Sequence, residues 1–313
     1  MKNINPGQTI RILANIGVIA AILTPTTAIT QAWVVGSNCP DNTPAVFHEC
    51  ALEAAKTFDP PRTSDGRPDM GGVWHLPGGL GGGAYEDLEE HSETFDDRGN
   101  PTAIVDPLDG KVPMHAWADA RRQEHTQRYI HPNAACFLPG VPHSTYNGGA
   151  RQFLQTPDYL VILGVNTHYY RIIPLGERPP VGESIRLWNG DSRGRWEGNT
   201  LIIETTNQNA MPWLDQRGRF YTEEARVVER LTLINPDTIH HQATLYDPNV
   251  YTRPFTIASP YRRSTEEGFE LEAEQCYENN QGLMEVYRAL GFVPYPGISP
   301  EEAREAMEVE SFR

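Results

Sequence analysis

The chain has 313 residues and a formal net charge of −15. That length serves one large domain or two small ones with a sizeable core. A surface this acidic repels phosphate backbones and anionic lipid, which argues against nucleic-acid and anionic-membrane partners.

The first 32 residues read as a secretory signal. Lys2 and Arg11 form a basic flank, Ile12–Leu23 is a short apolar segment, and Thr30-Gln31-Ala32 places small residues for a cut after Ala32. The apolar run is short of the roughly 20 residues a membrane span needs. No second run of spanning length follows, so the expected location is periplasmic or secreted, with no integral span after cleavage. Without Lys2 and Arg11 the remainder carries about −17.

Residues 33–60 form an arm. Thr43-Pro44 resembles an N-cap and first helical position, and the spacing of Phe47, Ala51, Ala54 and Phe58 predicts a helix over Ala45–Phe58 that Pro60-Pro61 ends. The main domain is expected over residues 61–280. Asp69–Trp74 reads as its first strand. Leu76–Gly83 is glycine-rich, but no Lys-Ser/Thr follows as a phosphate loop needs, and the acidic run Tyr85–Asp97 opposes phosphate. Ala116–Tyr129 suits a polar surface helix, and Pro132–Gly149 reads as a long loop.

From Phe153 strand signals come in series. Tyr159–Val165 and His168–Ile173 flank an Asn166-Thr167 tip. Ser184–Trp188 leads into Gly-Asp-Ser-Arg-Gly-Arg-Trp-Glu-Gly at 190–198, and Thr200–Thr206 leads out. Arg226–Ile234, Thr238–Tyr246, Thr252–Ala258 and Phe269–Cys276 complete the series. Modest apolar content (39%), 26 prolines and 27 glycines fit this turn-rich pattern. Short strands separated by turn signals predict an all-β fold, an antiparallel lipocalin-like barrel or a curved sandwich with short terminal helices. Residues 281–313 form a helical tail, with a short helix over Met284–Leu290 and a helix start at Ser299-Pro300-Glu301-Glu302.

Four cysteines fit an oxidising compartment. Of three connectivities, Cys39–Cys50 with Cys136–Cys276 is the most economical. No Cys-x-x-Cys pair supports zinc. Metal motifs with paired histidines, calcium loops and dinucleotide fingerprints are missing too, so neither metal nor organic cofactor is expected.

Over about Pro61 to Asn280 the chain resembles an uncharacterised family of exported bacterial proteins. The matching segments are Pro61-Arg62-Thr63 with Gly66-Arg67-Pro68-Asp69, Cys136–Pro142, Gln155-Thr156-Pro157, Gly190–Thr206, and Asp247-Pro248 with Tyr251–Pro254. The resemblance implies a shared β-rich domain and carries no catalytic residues. His143, where the family pattern has Arg, and the His168–Tyr170 hairpin depart from it. Those departures make His143, His168 and Tyr170 candidates for an activity particular to this chain.

Four constellations invite chemistry. Gly190-Asp191-Ser192-Arg193-Gly194 matches Gly-x-Ser-x-Gly, but a nucleophile elbow needs a helix after the serine, and here a strand follows. Arg193 and Arg195 could grip a carboxylate, or pair with Asp191 and Glu197. In Ile239–Leu245, alternation points His241 inward and His240 to solvent, and Glu229 shares the inward face of the preceding strand. His168 and Tyr170 share one face of their strand, Tyr169 and Arg171 the other. The expected function is a cofactor-independent acid/base enzyme, a lyase, isomerase or hydratase acting on a small organic molecule. His241, Glu229, His168 and Tyr170 would move protons, and Arg171, His143, Arg193 and Arg195 would contact substrate. The alternatives are a non-catalytic periplasmic binding protein and a serine hydrolase using Ser192. The enzyme needs His241, Glu229 and one of His168, Tyr170 or His143 together around one pocket. A purely apolar cavity favours the binding protein.

Overall fold

The computed structural model of the protein describes residues 39–76, 86–91, 100–165, 169–271, 276–277 and 280–311. The expected signal segment, the glycine-rich stretch from 77, most of the acidic run and His168 lie outside the described residues.

Two disulfides, Cys39–Cys50 and Cys136–Cys276, match the economical connectivity. Helix α1 (Pro44–Thr57) begins where Thr43 accepts a hydrogen bond from the Val46 N–H, with Pro44 at its first position. A cap of this kind contributes about 1 kcal/mol.

The strands are β1 (Gly72–His75), β2 (Ile104–Asp106), β4 (Ala150–Gln155), β5 (Tyr159–Gly164), β6 (Tyr170–Pro174), β7 (Asp191–Glu197), β8 (Thr200–Thr206), β9 (Arg226–Asn235), β10 (Thr238–Tyr246) and β11 (Phe255–Arg263). They form one antiparallel sheet in the order β6-β5-β4-β1-β11-β10-β9-β8-β7, and β2 joins β11 beside β1. The two end strands meet where Leu175 bridges Gly194 and the Gly176 N–H donates to the Gly194 carbonyl at 3.0 Å. A β-carbon at Gly194 would stand 2.6 Å from Leu175 Cδ2, so glycine permits this approach. The sheet is therefore a nearly closed barrel rather than a sandwich.

Alternation along the strands fills the barrel. Leu201 and Ile203 of β8, Leu231 and Leu233 of β9, Ile239 of β10 and Tyr261 of β11 belong to one buried cluster with Trp74 and Phe153. The expected Phe269–Cys276 strand is not one over its described residues, and the strand expected at Thr252–Ala258 runs later, as Phe255–Arg263.

Helix α2 (Ala116–Arg128) is followed by β3 (Tyr129–Ile130), a 3₁₀ turn at Pro132–Ala135 and the one-turn helix α3 (His143–Tyr146). The segment expected to be one long loop thus carries two helical turns. At its C-terminal end the chain adds α4 (Asn280–Ala289), β12 (Val293–Pro294), which pairs in parallel with β3, and α5 (Pro300–Ser311). Buried tyrosines tie loops together: Tyr146 Oη donates to the Leu214 carbonyl at 2.6 Å and Tyr251 Oη to that of Phe220 at 2.5 Å. Arg219 joins Asp87 (2.6 Å) and Asp215 (2.5 Å).

Helix α1 docks on the outside of the barrel. Phe47, Ala51 and Cys39 pack with Ile234, and Arg262 reaches Asp41 at 2.8 Å. No helix among the described residues is long and apolar enough to cross a membrane.

Candidate functional site

Inside the barrel, β6, β7, β8, β9 and β10 bring together Arg171, Ser192, Thr205, Glu229 and His241. Arg171 holds Glu229 at two points, 3.1 and 2.6 Å, and donates to Ser192 Oγ at 2.9 Å. Ser192 and Thr205 share a 2.8 Å hydrogen bond. His241 Nε2 lies 3.3 Å from Glu229 Oε1. A carboxylate opposite Nε2 places the proton on that nitrogen, so Nδ1 is an acceptor, and it has no hydrogen-bond partner among the described residues. The imidazole stacks on Tyr261 at 5.0 Å and 10°.

Burial alone would raise the Glu229 pKa. The Arg171 charge and the hydrogen bonds from His241 and Arg171 overcome it and set the value at about 2. Burial lowers that of His241, against the opposing pull of Glu229. At neutral pH the centre therefore holds an ionised arginine–glutamate pair and a neutral imidazole.

The expected inward placement of Glu229 and His241 is what the fold has. The other positions differ. Tyr170 projects outward, 61% exposed, because Arg171 and Ile173 take the interior positions of β6 and Tyr169, just before it, is buried as well. Arg171 is not open to a substrate anion, since Glu229, Ser192 and Thr205 surround its guanidinium. His143 is buried in α3, with Nδ1 2.7 Å from the Trp213 carbonyl and its ring stacked on Tyr146, apart from the Arg171 network. His168 lies outside the described residues. His240 is not solvent-facing. Helix α1 covers it, and His48 Nδ1 sits 3.0 Å from its Nε2, with Phe47 edge-on at 5.6 Å.

The glycine-punctuated hairpin β7–β8 turns at Gly198-Asn199 as its sequence indicates. Arg193 pairs with Asp191 at 2.8 Å and Arg195 with Glu197 at 2.9 Å, so both are engaged within the hairpin. Ser192 faces Thr205 and Arg171, and among the described residues no histidine is hydrogen-bonded to it.

A larger space lies outside the barrel, between α4, the 3₁₀ turn and the β3–β12 pair. It measures about 560 Å³, and Phe137, Trp188, Met211, Tyr277 and Met284 give it an apolar, aromatic wall. Trp188 stacks on Phe137 at 4.8 Å and 20°, its indole N–H bonded to the Leu138 carbonyl. Arg288, in the last turn of α4, stands at the edge of this space. The Cys136–Cys276 disulfide brings Phe137 and Tyr277 to the same wall, and Asn280 anchors α4 through the Ala134 carbonyl at 3.0 Å. Sequence reasoning missed these residues. The disulfide pairing is the signal that could have placed Phe137 beside Tyr277.

No cluster of three metal-ligating side chains occurs among the described residues. The chain matches no protein-family model and no curated protein.

Proposed function

We propose that the protein is a periplasmic binding module for a small, planar, largely apolar molecule that carries an anionic group. The observation that carries this reading is the cavity of about 560 Å³ walled by Phe137, Trp188, Met211, Tyr277 and Met284. Its size falls within the range of small-molecule sites, and few polar groups line it. The Trp188–Phe137 stack offers a flat aromatic face. Methionines adapt to irregular apolar ligands. Arg288 has no ion-pair partner among the described residues, and it sets the sign of the charged end. An exported, disulfide-bonded protein is suited to carrying such a ligand outside the cytoplasm.

Calorimetric titration with a planar aromatic sulfonate and its uncharged analogue tests the reading. The sulfonate binds more tightly, Trp188→Ala abolishes binding of both, and Arg288→Gln removes the preference for the charged form. Equal heats in wild type and Trp188→Ala exclude this cavity as the site.

A second reading keeps Glu229 and His241 as the proton-moving pair of a lyase or isomerase. It is favoured by their 3.3 Å contact and the unpartnered Nδ1 of His241. Loss of Tyr170 and His143 from the cluster leaves it with fewer groups than the binding reading has. A mass-spectrometric screen of metabolite pools against wild type and His241→Ala decides it: turnover lost in the variant supports the enzyme, and turnover absent from both removes it.

A further inference from the structure

Among the described residues, four arginines are buried: Arg151, Arg171, Arg219 and Arg262. Three meet carboxylates, Arg171 with Glu229, Arg219 with Asp215 and Arg262 with Asp41. Arg151 does not. Its Nη2 donates to the carbonyls of Ser144, at 3.0 Å, and Asn147, and its Nη1 to that of Gly149 at 3.3 Å. Its cation lies 5.3 Å over the Tyr261 ring. Carbonyl dipoles and a π face soften the desolvation of this cation but leave its charge in place. A buried charge calls for an opposite one.

A niche adjoins it. Ser144, Asn147, Arg151, Gly164 and Tyr169 are among the residues around a cavity of about 10 Å³. That admits one small particle and no polyatomic anion. Arg151 is 2% exposed and Ser144 1%. Both residues carry a donor, Arg151 Nε and Ser144 Oγ, that has no hydrogen-bond partner among the described residues. Two donors select an acceptor, the cation selects a negative charge, and the volume selects a single atom. A water molecule meets the first and third conditions but not the second. Carboxylates and oxyanions exceed the space.

We propose that Arg151 and Ser144 hold a halide ion, chloride in ordinary saline surroundings. The ion completes the charge balance of the barrel interior, where Glu229 is committed to Arg171. It also fixes Arg151 under Tyr261 and so supports the ring on which His241 stacks. The site is separate from the apolar cavity and does not depend on what that cavity binds.

Thermal unfolding of the full chain at constant ionic strength, with sodium chloride replacing sodium gluconate, tests the proposal. The unfolding temperature rises with chloride and saturates, since a ligand of the folded state stabilises it by mass action. Ser144→Ala moves the half-saturating chloride concentration severalfold higher, Arg151→Met abolishes the rise, and Trp188→Ala leaves it unchanged. Identical curves in the two salts, or the same chloride response in Ser144→Ala as in wild type, overturn the proposal. If Arg151→Met does not fold, crystals grown in bromide decide the question. An anomalous peak beside Arg151 Nε and Ser144 Oγ is expected, and a water in its place refutes the site.

Discussion

Arg171 and Glu229 meet across the barrel interior through two parallel hydrogen bonds, with both side chains 2% exposed. Breaking one partner of such a pair leaves the other as an uncompensated buried charge. Glu229→Gln is therefore expected to destabilise the fold by about 3–5 kcal/mol. Equilibrium unfolding in urea at pH 7 measures this. The same pair sets an acid limit. The Glu229 pKa is held at about 2, below the 4.5 of an ordinary glutamate. Its stabilisation is complete above pH 4.5 and is lost as pH falls through about 2. The acid unfolding of Glu229→Gln will lack this component.

Buried histidines act in a higher window. Burial lowers His125 and His131 to about 4, and His143 and His240 to about 3, from 6.5. Each is neutral in the fold, while its unfolded counterpart takes up a proton as pH falls below 6.5. Stability is thus complete above pH 6.5 and declines towards pH 3–4. Each histidine contributes a slope of about 1.4 kcal/mol per pH unit. Urea unfolding at pH 7, 6 and 5 will show the decline, and His240→Gln will reduce its slope by one proton. A flat profile between pH 7 and 5 contradicts the neutral-histidine assignment.

The face of each interior strand was legible because a period of two leaves little choice. Val227, Leu231 and Leu233 carry Glu229 inward with them, and Ile239, Ala243 and Leu245 carry His241. The same rule holds on β6, but there both faces carry aromatic and aliphatic residues. Tyr170 and Ile172 look as apt for the interior as Tyr169 and Ile173, and only the pairing with β5 decides between them. His240 was misplaced for a different reason. Alternation describes the barrel alone and is blind to the arm that covers its outer wall. Burial of His240 depends on Phe47 and His48, nearly 200 residues earlier in the chain. The apolar cavity was hidden for the same reason. Phe137, Trp188, Met211 and Met284 come from four separate segments, none periodic enough to announce a shared wall.

The Cys136–Cys276 bond closes a sequence separation of 140 residues. In the chain-entropy account it restricts the unfolded state by about 5 kcal/mol, against about 3 kcal/mol for Cys39–Cys50 with its separation of 11. Replacing Cys136 and Cys276 together by serine is expected to lower stability more than the same change at Cys39 and Cys50. If the proposed binding module is the protein's function, it will also weaken binding of the aromatic sulfonate, because Phe137 and Tyr277 lose their common anchor on the cavity wall. Unfolding midpoints and calorimetric titration of the two double variants measure both effects. Equal binding by the Cys136/Cys276 variant and wild type means that the wall is held by other contacts, such as Asn280 on the Ala134 carbonyl.

Gly164 faces the barrel interior, and the Tyr169 ring lies against its α-carbon, in the space a side chain would take. A methyl group there collides with the ring, and Tyr169 is enclosed by the barrel, 4% exposed. Overpacking of this kind destabilises by about 1–3 kcal/mol. Tyr169 also lines the niche beside Arg151. Gly164→Ala should therefore lower the unfolding temperature, alter the near-ultraviolet circular dichroism of the buried tyrosines, and shift the chloride response in the same variant. A change at an exposed strand position such as Leu154→Ala, 44% exposed on β4, lowers stability without the last two effects. An unperturbed tyrosine signal in Gly164→Ala would mean that the ring yields freely, and that its position over the glycine is not what orders the niche.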